Sequence, residues 1–206
     1  TKLVGEHLAQ PVLASLATSV AVGIRLPDAA RAIAQVDPVD GRCSVHEAGG
    51  VTFIRDDWKA PLWSLDAVIR LMEQARAARR ILVIGTISDY PGATSPKYRA
   101  VARRAAAAVD QMIFVGPVGH RTHLGESHAR VRSFETLAQL HAYFDTYLQP
   151  GDLVMLKGSA KADHLQRIVL ARTDGVTCWR PSCGRWRFCT SCEWRFRPDP
   201  ADSTVP

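Results

Sequence analysis

The 206-residue sequence has no apolar run long enough to cross a bilayer. Its longest, "PVLASLATSVAVGI", is rich in small residues and falls short of the ~20 that a membrane helix needs, so no membrane partner is expected. A basic head followed by an apolar core is also missing, which excludes a visible secretory signal and predicts a cytoplasmic protein. There is no initiator Met; the chain opens "TKLVGEHLAQ" and reads as a fragment of something longer. Spaced glycines of the P-loop type G-x-x-x-x-G-K-[ST] are absent, so the sequence carries no nucleotide-hydrolysing loop of that kind. Only one cysteine, Cys43, precedes residue 178, which argues against a disulfide framework. No internal repeat or low-complexity tract stands out.

Apolar residues make up 47% of the chain and charged residues 22%, the balance of a globular protein. The length fits one domain with a small appendage. A net charge of +6 favours anionic partners, nucleotide or nucleic acid alike.

From Val51 to about Leu170, short apolar runs alternate with longer stretches of helical periodicity. The runs are "VTFI", "RILVIGTI", "QMIFVGP" and "DLVMLKGS"; helices are expected over Ser64 to Arg79, Pro96 to Val109, Phe134 to Leu148 and Ala162 to Leu170. This is the pattern of βαβ units: an α/β fold whose mainly parallel sheet is covered by helices on both faces. Two helices are expected before it, with "DPVDGRCSVHEAGG" as a loop or hairpin into the first strand. Composition shifts to Arg, Trp, Cys and Pro near Thr173. The expected layout is therefore residues 1–45, an N-terminal helical segment; 46–172, the α/β domain; 173–197, a Cys-rich appendage; and 198–206, a disordered tail.

In such sheets ligands bind beyond the carboxyl ends of the strands. At the first corner, "RDDWK", Asp56 or Asp57 could bond a ribose hydroxyl or hold Mg²⁺ while Lys59 neutralises phosphate; the plainer alternative is a helix cap beside a solvated lysine. At "LKGSAKAD", Lys157, Gly158 and Ser159 could receive an anion on backbone N–H groups, or form an ordinary turn capped by Ser159. His120, His123, His128 and Glu126 share a loop whose spacing fits no standard zinc pattern, and a solvated or substrate-facing loop is expected there. Cys178, Cys183, Cys189 and Cys192 form C-x4-C-x5-C-x2-C, which suits tetrahedral Zn²⁺, with an iron–sulfur cluster or unliganded thiols as alternatives. Tail arginines interleave with Trp179, Trp186 and Trp194. They could bind single-stranded nucleic acid, or pack around a metal site and dock it.

The segments "LVGEHLAQPVLASLATSVAVGI", "DPVDGR", "VTFIRDDWKAPLWSLDAV" and "GDLVMLKGSAKADHLQRIV" resemble, in order and spacing, the end of the central domain and the whole C-terminal domain of the Mur ligase family, from roughly Leu3 to Leu170. The resemblance implies a Rossmann-like C-terminal domain preceded by a helical remnant of the central domain, and an ATP-dependent enzyme that joins an amino acid or peptide amine to a carboxylate through an acyl phosphate in peptidoglycan assembly. It implies that Asp57 meets the ribose, that Lys59 meets the phosphates, and that Arg42 and His7 also face the nucleotide. Lys157, Gly158 and Ser159 would help to receive the amine. ATP and Mg²⁺ would be shared with a central domain outside these residues, and the chain, expected to be a monomer, should be inactive alone. Two features depart from the pattern: Leu8 and Pro11 stand where the family carries asparagines for adenine, and the Cys-rich tail is extra. They support an alternative, an inactive Mur-derived scaffold whose basic tail binds nucleic acid or a protein.

Overall fold

A computed structural model describes residues 1–120, 129–185 and 187–198. Helices α1 (Ala9–Ala21) and α2 (Leu26–Ala34) come first, followed by the hairpin β1 (Ser44–Ala48) and β2 (Val51–Asp56). Then follow α3 (Leu65–Gln74), β3 (Arg79–Ile84), α4 (Thr94–Ala108), β4 (Gln111–Val115), α5 (Pro117–His120), β5 (Val131–Phe134), α6 (Leu137–Tyr147), β6 (Asp152–Lys157) and α7 (Gln166–Thr173). The six strands form one sheet in the order β1-β2-β6-β3-β4-β5. Among the described residues, only the β1–β2 pairing is antiparallel. The expected mainly parallel α/β fold is what the chain forms.

The strands' alternation builds two cores from one sheet. In β3, Leu82 and Ile84 pack with Met72 of α3 and Tyr98 and Ala105 of α4, while Ile81 and Val83 pack on the other face with Leu140 and Phe144 of α6 and Ile168 of α7. Successive side chains of a strand point to opposite faces, so an unbroken apolar run is what a strand covered on both sides requires. Each such side chain, fully buried, contributes roughly 1.5–3 kcal/mol.

Several helix boundaries differ from expectation: α4 starts at Thr94 rather than Pro96, α7 spans Gln166–Thr173 rather than Ala162–Leu170, and two further shifts have a visible cause. Helix α3 stops at Gln74 because Ala75 turns extended and Ala78 N–H bonds Gly151 C=O at 3.1 Å, which carries Arg79 into β3 against Asp152 at 2.6 Å. Helix α6 starts at Leu137 behind a capping box in which Thr136 accepts from Gln139 N–H while the Gln139 side chain accepts from Thr136 N–H. The residues before that box, "VRSF", make the edge strand β5, whose polar Arg132 and Ser133 hide it from an apolar-run search. Helix α1 buries no residue, and Leu13 and Val20 lie exposed on it. Among the described residues no helix is long and apolar enough to cross a membrane.

Candidate functional site

The parallel strands end on one side, and their register sets the first charge pair there. Asp56, the last residue of β2, lies opposite Lys157, the last of β6, and Lys157 Nζ donates to Asp56 Oδ2 at 2.6 Å and to Lys59 C=O at 2.8 Å. Both residues are buried. Together they line a cleft of about 620 Å³. Arg42, Lys59 and Asp89 supply the rest of its charge, His7 adds an imidazole, and Leu8, Pro61 and Trp63 are among its apolar walls. Trp63, 78% exposed, stands as an aromatic plate open to solvent. Cys43 also faces this cleft; burial first, then the charge of Asp56, pushes its thiol up to about 12.

Asp57 is placed on the other face of the strand, away from this cleft. Ile54 packs in the core on the α3 side, and strand alternation keeps Asp56 on that face while turning Arg55 and Asp57 to the other. There Arg55 Nη2 donates to Asp57 Oδ1 at 3.1 Å, and Arg55 Nη1 meets Asp40 at 2.7 Å. Asp57 is 2% exposed and does not line the cleft; burial raises its carboxyl above the ordinary range, with Arg55 opposing. The carboxylate facing the cleft is Asp56. The period-two count from Ile54 is the signal that would have picked it.

The loop after β6 also departs from expectation. Lys157 reaches the cleft, whereas Gly158 and Ser159 do not line it. The Ser159 N–H is not open to an external anion, because Asp163 Oδ2 accepts it at 2.6 Å. The same carboxylate accepts from Thr86 N–H at 2.9 Å and Thr86 Oγ1 at 2.7 Å, so it ties the loop after β6 to the loop after β3. Burial raises the Asp163 carboxyl, and these donors work against the rise. A methyl group on Gly85 or Gly158 would collide with Asp163, which accounts for glycine at both positions.

The tail packs behind these loops. The Phe188 ring meets Trp58 edge-on at 5.1 Å, and Trp179 stacks on His141 of α6 at 4.4 Å. Trp194 lies between the guanidiniums of Arg180 and Arg185, at 4.9 and 3.6 Å. All five cysteines are free thiols. Cys178, Cys183, Cys189 and Cys192 line one small cavity with His164, yet among the described residues no group of three or more His, Cys, Asp or Glu side chains is arranged to hold a metal ion. His123, Glu126 and His128 of the predicted histidine loop, and Trp186, lie outside the described residues.

Residues 41–160 match the glutamate ligase domain of the Mur ligases. The chain belongs to the Mur ligase family. It is 30% identical over 162 residues, 76% of its length, to the UDP-N-acetylmuramoyl-tripeptide--D-alanyl-D-alanine ligase of Treponema pallidum (strain Nichols), and it spans 35% of that relative. In fold it resembles the Acinetobacter baumannii UDP-N-acetylmuramoylalanyl-D-glutamyl-2,6-diaminopimelate--D-alanyl-D-alanyl ligase, with a TM-score of 0.70 and 21% identity over 82% of this chain and 37% of that one. It also resembles the MurF ligase of Thermotoga maritima in complex with ADP, with a TM-score of 0.58 and 17% identity over 70% of this chain and 33% of that one. The Mur ligase match ends at Ala160, before His164 and the four tail cysteines. Among the positions carried over from the family, His7, Arg42 and Lys59 meet in the cleft. Leu8 lines it too.

Proposed function

We propose that this chain is the nucleotide-closing, amine-receiving part of an ATP-dependent carboxylate–amine ligase of the MurF type. The single observation that carries the reading is the cleft at the carboxyl edge of the sheet, where Arg42, Lys59 and His7 gather around the buried Lys157–Asp56 pair. Arg42 and Lys59 neutralise nucleotide phosphate, and Asp56 replaces Asp57 as the carboxylate turned toward the ribose or the incoming ammonium. Lys157 pairs with Asp56 and orients it, and its bond to the Lys59 carbonyl fixes the corner from which Lys59 projects. Mg²⁺ and the loop that grips the phosphates belong to the part of the relatives that this chain does not span. Amide formation through an acyl phosphate therefore needs that part, and the role of these residues is positioning and charge neutralisation on closure.

The nucleic-acid alternative finds less support. Among the described tail residues, Trp179 stacks on His141, and Trp194 takes the guanidiniums of Arg180 and Arg185, so these rings are already engaged within the protein.

Titrating ATP into the intact gene product tests the reading. Arg42→Ala and Lys59→Ala should each weaken ATP about 10-fold or more, the size of a lost charge-assisted hydrogen bond. Asp57→Asn should lower stability while leaving ATP affinity alone. Unchanged ATP binding in both cation variants would remove the nucleotide role.

A further inference from the structure

The Cys-rich tail is the motif that the ligase reading leaves unused, and its packing is unusual. Between Asp174 and Pro198 the only described residues that are buried are Cys178 and Cys189. Among the described residues there, the regular element is a single turn, Cys189–Ser191. A segment whose apolar side chains, such as Trp179 and Phe188, are only partly buried gains little from hydrophobic contact, and metal ligation is the usual substitute. Its burial is centred instead on sulfur: Cys178, Cys183, Cys189 and Cys192 line one cavity of about 10 Å³, room for about one water-sized sphere.

Each of the four sulfurs already has a nitrogen beside it. Trp194 N–H donates to Cys192 Sγ at 3.4 Å, and Arg180 Nη1 donates to Cys178 Sγ at 3.5 Å. The two ring nitrogens of His164 meet Cys183 Sγ at 3.1 Å and Cys189 Sγ at 3.6 Å. The Trp194 N–H, the Arg180 guanidinium and the one ring N–H of a neutral His164 are donors of the kind that ligating thiolates gather around them. Arg167, Arg185, Arg187 and Arg195 also line the cavity, so cations surround the place where four thiolates and a divalent ion would leave a net charge of −2.

The cluster touches both loops of the cleft. His164 directly follows Asp163, the carboxylate that holds Ser159 and Thr86. Phe188, next to Cys189, packs on Trp58 beside Lys59. Arg167 of α7 donates to Cys178 C=O at 2.8 Å and Arg180 C=O at 3.1 Å, which fixes the tail to the domain.

We propose that Cys178, Cys183, Cys189 and Cys192 bind one tetrahedral ion of the Zn²⁺ class as thiolates, and that the loaded site braces the loops after β2 and β6. Binding releases the four thiol protons to solvent. Cys183 and Cys189, now turned onto His164, exchange the imidazole for the ion, and the ring N–H then bonds a thiolate. The metal assignment stands apart from the ligase reading, whereas the purpose of the brace rests on it.

The test uses the reduced 206-residue chain titrated with Co²⁺ and needs no ATP. The expected result is one ion per chain, with thiolate-to-cobalt charge transfer and a tetrahedral ligand-field band, and equimolar Zn²⁺ should displace it. Cys192→Ser should abolish the tetrahedral band, and His164→Ala should keep it with affinity about 10-fold lower, the range for a lost outer-shell partner. No tetrahedral spectrum from the reduced wild-type chain would overturn the site. So would an iron–sulfur chromophore in the protein as purified, or a band unchanged in Cys192→Ser. For the brace, amide hydrogen exchange at Ser159 and at Ala160, whose N–H bonds Trp58 C=O across the loops after β6 and β2, should slow when Zn²⁺ is added. Equal exchange with and without Zn²⁺ would overturn the brace and leave the ion in place.

Discussion

Asp56 and Asp163 are carboxylates at the same edge of one sheet, and they are held by opposite means. Asp56 is matched by a buried cation, Lys157, and faces a cleft. Asp163 is held by two backbone N–H groups and one hydroxyl from two loops. A carboxylate satisfied by neutral dipoles of the fold has spent its acceptors on structure. One balanced by a lysine beside open space keeps a charge that a ligand can address. The two neighbouring residues Asp56 and Asp57 repeat the contrast, since Asp57 is closed off by Arg55 on the far face.

The largest effect is expected from unbalancing the charged pair. Lys157→Met leaves Asp56 buried without its cation and should cost about 3–5 kcal/mol in urea unfolding, the range for breaking a buried pair. The double variant Asp56→Leu with Lys157→Met should recover at least half of that loss, because no charge is then stranded. If the double variant is as unstable as the single one, Asp56 is not what Lys157 neutralises, and the contrast with Asp163 fails.

An intermediate effect is expected at the neutral hub. Asp163→Asn exchanges one acceptor oxygen for an N–H₂ group facing an N–H or O–H donor, and should cost about 1–3 kcal/mol by leaving that donor unsatisfied. Gly85→Ala should displace the same carboxylate and cost a similar amount. Combining the two should cost clearly less than their sum, as for changes that break one shared contact. Strict additivity would mean that Gly85 is glycine for a reason other than Asp163.

How much of this the sequence could tell follows from the range of each interaction. The unbroken runs at Val51, Ile81, Met112 and Leu153 announce strands covered on both faces, and the helices between them are local patterns. The edge strand Val131–Phe134 escaped because an edge needs no apolar run. At the site, Arg42, Lys59, His7 and Lys157 were named from the family pattern and do share one cleft. The choice of Asp57 over Asp56 was not forced; counting by twos from Ile54 points to Asp56. The Lys157–Asp56 bond spans 101 residues and depends on strand register, which no local pattern encodes. The closure of Ser159 by Asp163 is a four-residue contact, but it needs the loop after β3 to hold the carboxylate in place, and only the fold supplies that.

The smallest effect separates the apolar wall of the cleft from its charges. Cys43 is 2% exposed, and burial together with Asp56 pushes its thiol from about 9 up to about 12. The folded value is raised, so the sign is fixed: below pH 9 the thiol keeps its proton in both states and contributes nothing pH-dependent. As pH rises from 9 toward 12, the unfolded chain loses the proton while the folded chain retains it, and stability drains away at up to about 1.4 kcal/mol per pH unit. Other groups titrate in the same window, so the measurement is a difference between the parent and Cys43→Ala, both followed by urea unfolding from pH 8 to 10.5. The variant should lose some stability at every pH from the vacated volume, and its curve should fall less steeply above pH 9. At pH 8 the native thiol should alkylate far more slowly than the same cysteine in urea, since the thiolate is the reactive form. Parallel curves, or native alkylation as fast as in urea, would mean that solvent reaches Cys43 and that the wall of the cleft beside Asp56 is open.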